Sequence, residues 1–300
     1  MNLGPKLLVS GASGQLGRRV LHHLLNTLQV PPDRLIATTR RPEAVSDFAS
    51  LGVDVRTADF ADNVDTLATA FRDASRILVI SSEAGPHGVR LAQHRRAIMG
   101  AVQAGASHVV YTSMPDPTGS LVSFAPDHAE SEAALAASAL PGWTVLRNHW
   151  YFENWFHSIP QALQSGVWYT AAGEGKLANI ARDDVARAAA VILASTDTST
   201  QTYTLSGAKA LTTREIAAAI SAAVGDPLAV VDVSQEALVQ GLMASGLPEA
   251  AAREIASFDA NAAAGGFSGA TCDYKAITGR EPQSLDEWCR ANRSALIGTQ

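Results

Sequence analysis

Apolar and polar positions fall into blocks along the first half of the chain. "KLLVS" is a short apolar run of the kind a buried strand shows, and Leu16, Val20, Leu24 and Leu28 follow four apart, on one face of a helix. "RLIATT" predicts a second strand, Pro42 the start of a short helix, "GVDVRTADF" a third strand with its exit, and "LATAF" a helix. "RILVISS" is near-continuously apolar, as central parallel strands are. A long helix over 88–104, a fifth strand in "SHVVYTS", a helix around 130–139 and a sixth strand in "GWTVLRN" complete the series. Such regular β-α alternation predicts an α/β fold: a Rossmann-like, doubly wound parallel sheet. His22 and His23 fall in the first helix and are expected to face solvent.

The second half reads differently. Its strands ("GVWYT", "TYTLSG", "LAVVDVS") are short and widely spaced, and its helices, over 182–193, 213–224 and 234–244, are rich in alanine. The expected organisation is a dinucleotide-binding domain over 1–150 and a smaller α+β C-terminal lobe on the substrate side over 151–300. Part of that lobe, about 178–206, is expected to return to the first domain.

Composition narrows the function classes. With 47% hydrophobic and 17% charged residues the chain is of ordinary globular make-up. A net charge of −6 and the lack of a markedly basic stretch argue against nucleic-acid binding. No apolar run reaches the roughly 18–20 residues a bilayer span needs, and the N-terminus has no signal-peptide pattern. The expectation is a cytoplasmic protein with no membrane partner. Cys272 and Cys289 form neither a disulfide framework nor a zinc motif, so no metal site is expected.

Candidate chemistry starts at "VSGASGQLGRRVLHHLL". Gly11, Gly14 and Gly17 stand three apart between a strand and a helix. A pyrophosphate sits well at such a junction, because unpaired N–H groups and the helix dipole favour negative charge. Gly11 would make the turn, Gly14 would let phosphate approach the backbone, and Gly17 would let the helix pack closely on the strand. Ser13, Gln15 and Leu16 complete the phosphate-facing stretch, and Ser81, leaving the fourth strand, joins the cofactor set. NAD binders place an acid near the end of the second strand; here Arg40 and Arg41 stand there. Guanidinium groups suit a 2′-phosphate, so the cofactor expected is NADPH; the other reading is two solvated surface arginines. Asp59 and Phe60 either bound the adenine pocket or, for Asp59, cap the next turn.

The phenol–lysine pair of many short-chain reductases is absent: none of Lys6, Lys176, Lys209 and Lys275 lies four residues after a tyrosine. At the equivalent place "DHAESEAAL" puts His128 and Glu132. His128 either donates a proton or merely caps a helix or walls the pocket. Ser113, at the tip of the fifth strand, either hydrogen-bonds substrate or carboxamide or simply ends the strand. In "LRNHWYFENW", Trp150, Tyr151, Phe152 and Trp155 gather at the carboxyl edge of the sheet, where they either stack a flat acceptor or pack between lobes.

"GASGQLG", the arginines after the second strand, "ADF", "VISS", "YTS", H-x-x-x-E and "LRNHWYFEN" together resemble the NmrA-like atypical short-chain dehydrogenase/reductases, most nearly the type-2 NAD(P)H:quinone oxidoreductases and triphenylmethane-dye reductases. The likeness continues through "AAGEGKLANIARDDVARAAA" and "TGREPQSLDEW". It implies an NADPH-binding lobe, a small C-terminal lobe with a cleft between them, and hydride passed directly to a quinone-like or conjugated aromatic small molecule. Ser113, His128, Asn148 and Tyr151 are expected to line the reaction site, and a homodimer is a candidate assembly. The chain departs from the family in "TTRRPEAV", "SSEAGP" and "PDPTGSLVSFAP"; the last two loops are expected to frame the substrate. The rival readings are a non-enzymatic dinucleotide-binding redox sensor and a reductase dedicated to one biosynthetic intermediate.

Overall fold

The structure, a computed structural model, describes residues 5–83 and 88–298. The chain runs β1 (Lys6–Val9), α1 (Gln15–His22), β2 (Leu35–Thr39), α2 (Ser46–Ser50), β3 (Asp54–Thr57), α3 (Val64–Phe71), β4 (Ala74–Val79), α4 (Val89–Gln103), β5 (His108–Ser113), α5 (Ala125–Ala136) and β6 (Gly142–Asn148). It continues through α6 (Ile159–Ser165), β7 (Val167–Thr170), β8 (Lys176–Leu177), α7 (Arg182–Ala194), β9 (Gln201–Leu205), β10 (Leu211–Thr212), α8 (Thr213–Val224) and β11 (Ala229–Asp232). Five helices follow or precede the C-terminus: α9 (Gln235–Ala244), α10 (Glu249–Ala263), α11 (Asp273–Thr278), α12 (Leu285–Ala291) and α13 (Arg293–Leu296).

Contacts divide the chain into two compact units. The first comprises Met1–Met114, Pro126–Arg147 and Asp183–Thr204, and the second Pro115–Ala125, Asn148–Arg182 and Leu205–Gln300. The first is built on a seven-stranded sheet in the order β3-β2-β1-β4-β5-β6-β9, whose first six strands pair in parallel. The strand order reverses between β1 and β4, which in open α/β sheets marks the ligand-binding crevice. Leu8, Ile36, Leu67, Phe71, Ile77, Val109 and Tyr111 are buried together in its core. Each fully buried aliphatic side chain contributes about 1.5–3 kcal/mol, which is why the strand centres carry few polar residues. One exception is Arg76 on β4, 5% exposed. Its guanidinium donates to the carbonyls of Ile192, Leu193 and Asp197 and so ties the end of α7 to the sheet.

The second unit holds two small two-stranded sheets, β10-β8 and β11-β7. Its core gathers Phe152, Trp155, Ile216, Ile220 and Trp288. Capping boxes at Thr212/Glu215 and Ser284/Glu287 start α8 and α12, satisfying N–H groups that a helix end leaves orphaned.

Several expectations are corrected here. α5 starts at Ala125 rather than near 130, and α10, long and alanine-rich, is not among the elements read from the pattern. His22 is exposed as expected, but His23 is 8% exposed and bonds Thr27 and Asp183. His23 stands three residues after Val20 and seven after Leu16, on the buried face of the helix, which widens to a π turn over His23–Thr27. Of the "SSEAGP" loop, 84–86 lie outside the described residues.

Candidate active site

The glycine turn leaves β1 with Gly11 at φ +59°, a left-handed conformation that favours glycine. A Cβ on Gly17 would stand 2.4 Å from the Gly11 carbonyl oxygen, so the helix can lie this close only without a side chain there. Gly14 caps α1 with extended backbone and no side-chain hydrogen bond. Gly14 and Gln15 are exposed, and the first turn of α1 holds no acidic residue. The Ala12 and Gly14 N–H groups are spent on the Thr38 and Gly11 carbonyls, so what the turn offers an anion is the positive N-terminal end of α1, from Gln15 onward.

Around that turn, Ser13 Oγ lies 2.7 Å from Thr39 Oγ1, and Thr39 Oγ1 also accepts from the Arg41 N–H at 3.1 Å. The end of β2 is thereby braced against the turn, with Arg40 and Arg41 both exposed beside it. The nearby Arg18 is occupied by Asp47 and the Ala44 carbonyl. An exposed basic pair with no acid at the end of β2, next to an open helix N-terminus, fits a dinucleotide carrying a 2′-phosphate. Asp59 accepts from the Ala61 N–H, capping its turn, and Phe60 packs on the core of the first unit. Ser81 donates its N–H to Thr112 Oγ1 at 2.8 Å.

Behind β5 lies a closed polar network. The Ser82 N–H donates to His94 Nε2 at 3.0 Å, so the neutral ring carries its hydrogen on Nδ1, 2.8 Å from Ser131 Oγ. Arg90 donates to His128 Nε2 at 3.2 Å, which puts the His128 hydrogen on Nδ1, 2.9 Å from the Tyr111 hydroxyl. Ser131 Oγ in turn donates to the Asp127 carbonyl at 2.6 Å. Burial and then the Arg90 charge push His94 down to about 3. Burial, Arg90 and His94 hold His128 well below the ordinary histidine range, and burial pushes the Tyr111 phenol up. Both rings are neutral near pH 7, and the one N–H of His128 is spent on Tyr111.

Ser113 and Arg147 are paired residues of β5 and β6, so their side chains share a face of the sheet. Glu132 on α5 bridges them. Ser113 Oγ donates to Glu132 Oε1 at 2.6 Å, and Arg147 donates to both carboxylate oxygens, at 3.1 and 2.7 Å. Sequence reasoning noted Glu132 only as the residue at the lysine's place; its H-x-x-x-E spacing was the available signal.

In the second unit Asn148 Nδ2 donates to the Tyr151 hydroxyl at 3.3 Å, and the Arg182 guanidinium lies 5.2 Å over the Tyr151 ring. Burial pushes the Tyr151 hydroxyl up to about 12. Asn148 Oδ1 and both amide atoms of Asn179 are buried without a protein partner. Asn179, 4% exposed, precedes Ile180, which bridges Tyr151. Nothing in its sequence setting singled it out. Phe152 and Trp155 stack on each other, and Trp288 meets the first tilted and the second edge-on, so both are core residues of the second unit; Trp150 packs on Phe258. No group of three or more metal-ligating side chains occurs among the described residues, and no helix there is long and apolar enough to cross a membrane.

The NmrA-like family model matches residues 5–295. The chain belongs to the NmrA-like family. It is 34% identical to quinone oxidoreductase 2 of Escherichia coli over 281 residues, covering 94% of this chain and 96% of that one. The crystal structure of the Escherichia coli NADPH-dependent quinone oxidoreductase complexed with NADPH matches with a TM-score of 0.88 at 34% identity, covering 94% and 98% of the two chains. The Citrobacter sp. triphenylmethane reductase complexed with NADP(H) matches with a TM-score of 0.88 at 29% identity, covering 95% and 99%.

Proposed function

We propose that the protein is an NADPH-dependent reductase of quinone-like or other conjugated aromatic acceptors. The observation that carries this reading is the open glycine turn beside Arg40 and Arg41, in a chain similar over nearly its whole length to reductases crystallised with this cofactor. When bound, the reduced nicotinamide supplies hydride. The backbone from Ser13 to Leu16 holds the pyrophosphate, Arg40 and Arg41 the 2′-phosphate, and Asp59, Phe60 and Ser81 flank the rest of the nucleotide.

The polarity of the network behind β5 supports one class of acceptor. His128 gives its hydrogen to Tyr111, and Ser113 gives its own to Glu132, so neither offers a proton to a substrate. Acceptors that take hydride without acid assistance, quinones and cationic dyes, fit such a site; solvent supplies the proton afterwards. The amide groups of Asn148 and Asn179 and the Tyr151 hydroxyl are the polar contacts proposed for the acceptor, and orienting the acceptor supplies most of the rate.

The test is NADPH oxidation followed at 25 °C against a panel of quinones, triphenylmethane dyes and enones. Turnover of quinones or dyes supports the proposal. Tight NADPH binding with no turnover of any member identifies a dinucleotide sensor instead.

A further inference from the structure

We infer that Glu132, held by Arg147, is a positioning residue that makes Ser113 a hydrogen-bond acceptor only, and that Ser113 thereby recognises the carboxamide N–H of the nicotinamide. This rests on the reading of the chain as an NADPH-dependent reductase.

A serine hydroxyl has one hydrogen and two lone pairs. An ionised carboxylate has lone pairs only, and a guanidinium that meets both of its oxygens is a partner for the ionised form. Arg147 makes that two-point contact with Glu132, whose side chain is 15% exposed. The hydrogen in the 2.6 Å contact between Ser113 and Glu132 therefore belongs to Ser113. With that hydrogen spent, the Ser113 oxygen can only accept from any further group. Ser113 closes β5 at the carboxyl edge of the sheet, the edge at which β1 delivers the glycine turn. A primary amide brings an N–H donor to such an oxygen. An acyl group of the same shape brings only a carbonyl, which would set two lone pairs against each other. The arrangement inverts the use of a serine as donor to a substrate carbonyl.

The test measures binding to the full chain by calorimetry, with three probes: NADP⁺, its 3-acetylpyridine analogue, which has no amide N–H, and 2′-phospho-ADP-ribose, which has no pyridine ring. Wild type is expected to bind NADP⁺ about three- to tenfold more tightly than the acetyl analogue, the range of one net hydrogen bond. Ser113→Ala and Glu132→Gln should both erase that preference, since a glutamine amide can donate to Ser113 and release its hydrogen outward. Ser113→Thr, which keeps the hydroxyl, should retain it. All four proteins should bind 2′-phospho-ADP-ribose equally, which shows the turn intact. A Glu132→Gln protein that still prefers the amide overturns the inference. So does one that loses 2′-phospho-ADP-ribose as well, because the pair would then only brace the fold. A wild type that binds NADP⁺ and the acetyl analogue equally defeats this inference alone, whereas one that binds none of the three probes defeats the reductase reading with it.

Discussion

His128 Nδ1 lies 2.9 Å from the Tyr111 hydroxyl, while the other ring nitrogen accepts from Arg90. The residue that stands where related reductases keep a phenol acid is thus turned inward, toward a tyrosine on β5 two residues before the strand tip.

His128→Ala should therefore lower kcat with a readily reduced quinone by less than about tenfold, while thermal stability falls as the buried Tyr111 and Arg90 lose a partner. Steady-state kinetics and a melting curve on the same sample check both halves. A kcat loss of about 10²–10⁴-fold, the range of a positioned acid, with stability unchanged would make His128 the proton donor.

Gly14 and Gly17 should separate binding from folding. A Cβ at Gly14 meets only the Gly11 carbonyl oxygen, at 3.2 Å, and Gly14 has negative φ. Gly14→Val is expected to lose NADPH binding with the fold intact. At Gly17 the added carbon meets backbone at 2.4 Å, and Gly17→Val should lose both. Circular dichroism and calorimetry on the pair decide it; equal NADPH binding by Gly14→Val and wild type would leave the turn purely structural.

Arg40→Ala/Arg41→Ala should weaken NADPH by about tenfold to a few hundredfold, since charge-assisted hydrogen bonds contribute roughly 1.5–3 kcal/mol each. NADH has no 2′-phosphate and should barely change. Dissociation constants for both nucleotides test this, and parallel losses would return the two arginines to ordinary surface charge.

Stability should fall on mild acidification. Burial and the Arg76 charge push His108 down to about 4, burial pushes His149 down to about 4, and His94 stands at about 3. Each is neutral in the folded chain but protonates near 6.5 once unfolded, so the unfolded state binds more protons in this window. The stabilisation is complete above about pH 6.5 and is lost as pH falls toward about 4, on the order of 3 kcal/mol per histidine. Melting temperature measured from pH 7.5 to 4.5 should drop steadily; a flat profile would contradict the burial of these rings.

The parallel β-α series and the glycine turn were legible because each leaves a local mark: an apolar run, an alternation, a spacing. Asn179 leaves none, and Glu132 leaves only its spacing from His128. Glu132 is one of several acids on α5, and only the pairing of Ser113 with Arg147 across β5 and β6 gives it two partners. His23 was misplaced because its polarity was read as solvent-facing, although it stands three residues after Val20 and seven after Leu16 on the buried face of the helix. The aromatic run after β6 looked like one surface, yet Phe152 and Trp155 are claimed by Trp288, more than 130 residues later in sequence.

Arg76 also sets the order in which the first unit can be finished on the ribosome. Its guanidinium is buried on a central strand, and the carbonyls that receive it arrive 116 to 121 residues later, after the chain has passed through a segment of the second unit. Until then Arg76 faces water and the side of the sheet that the end of α7 covers stays open. A fragment ending after β6 therefore lacks both the cover and the carbonyl partners that the full chain supplies, and the first unit is complete only once synthesis has run past Asp197.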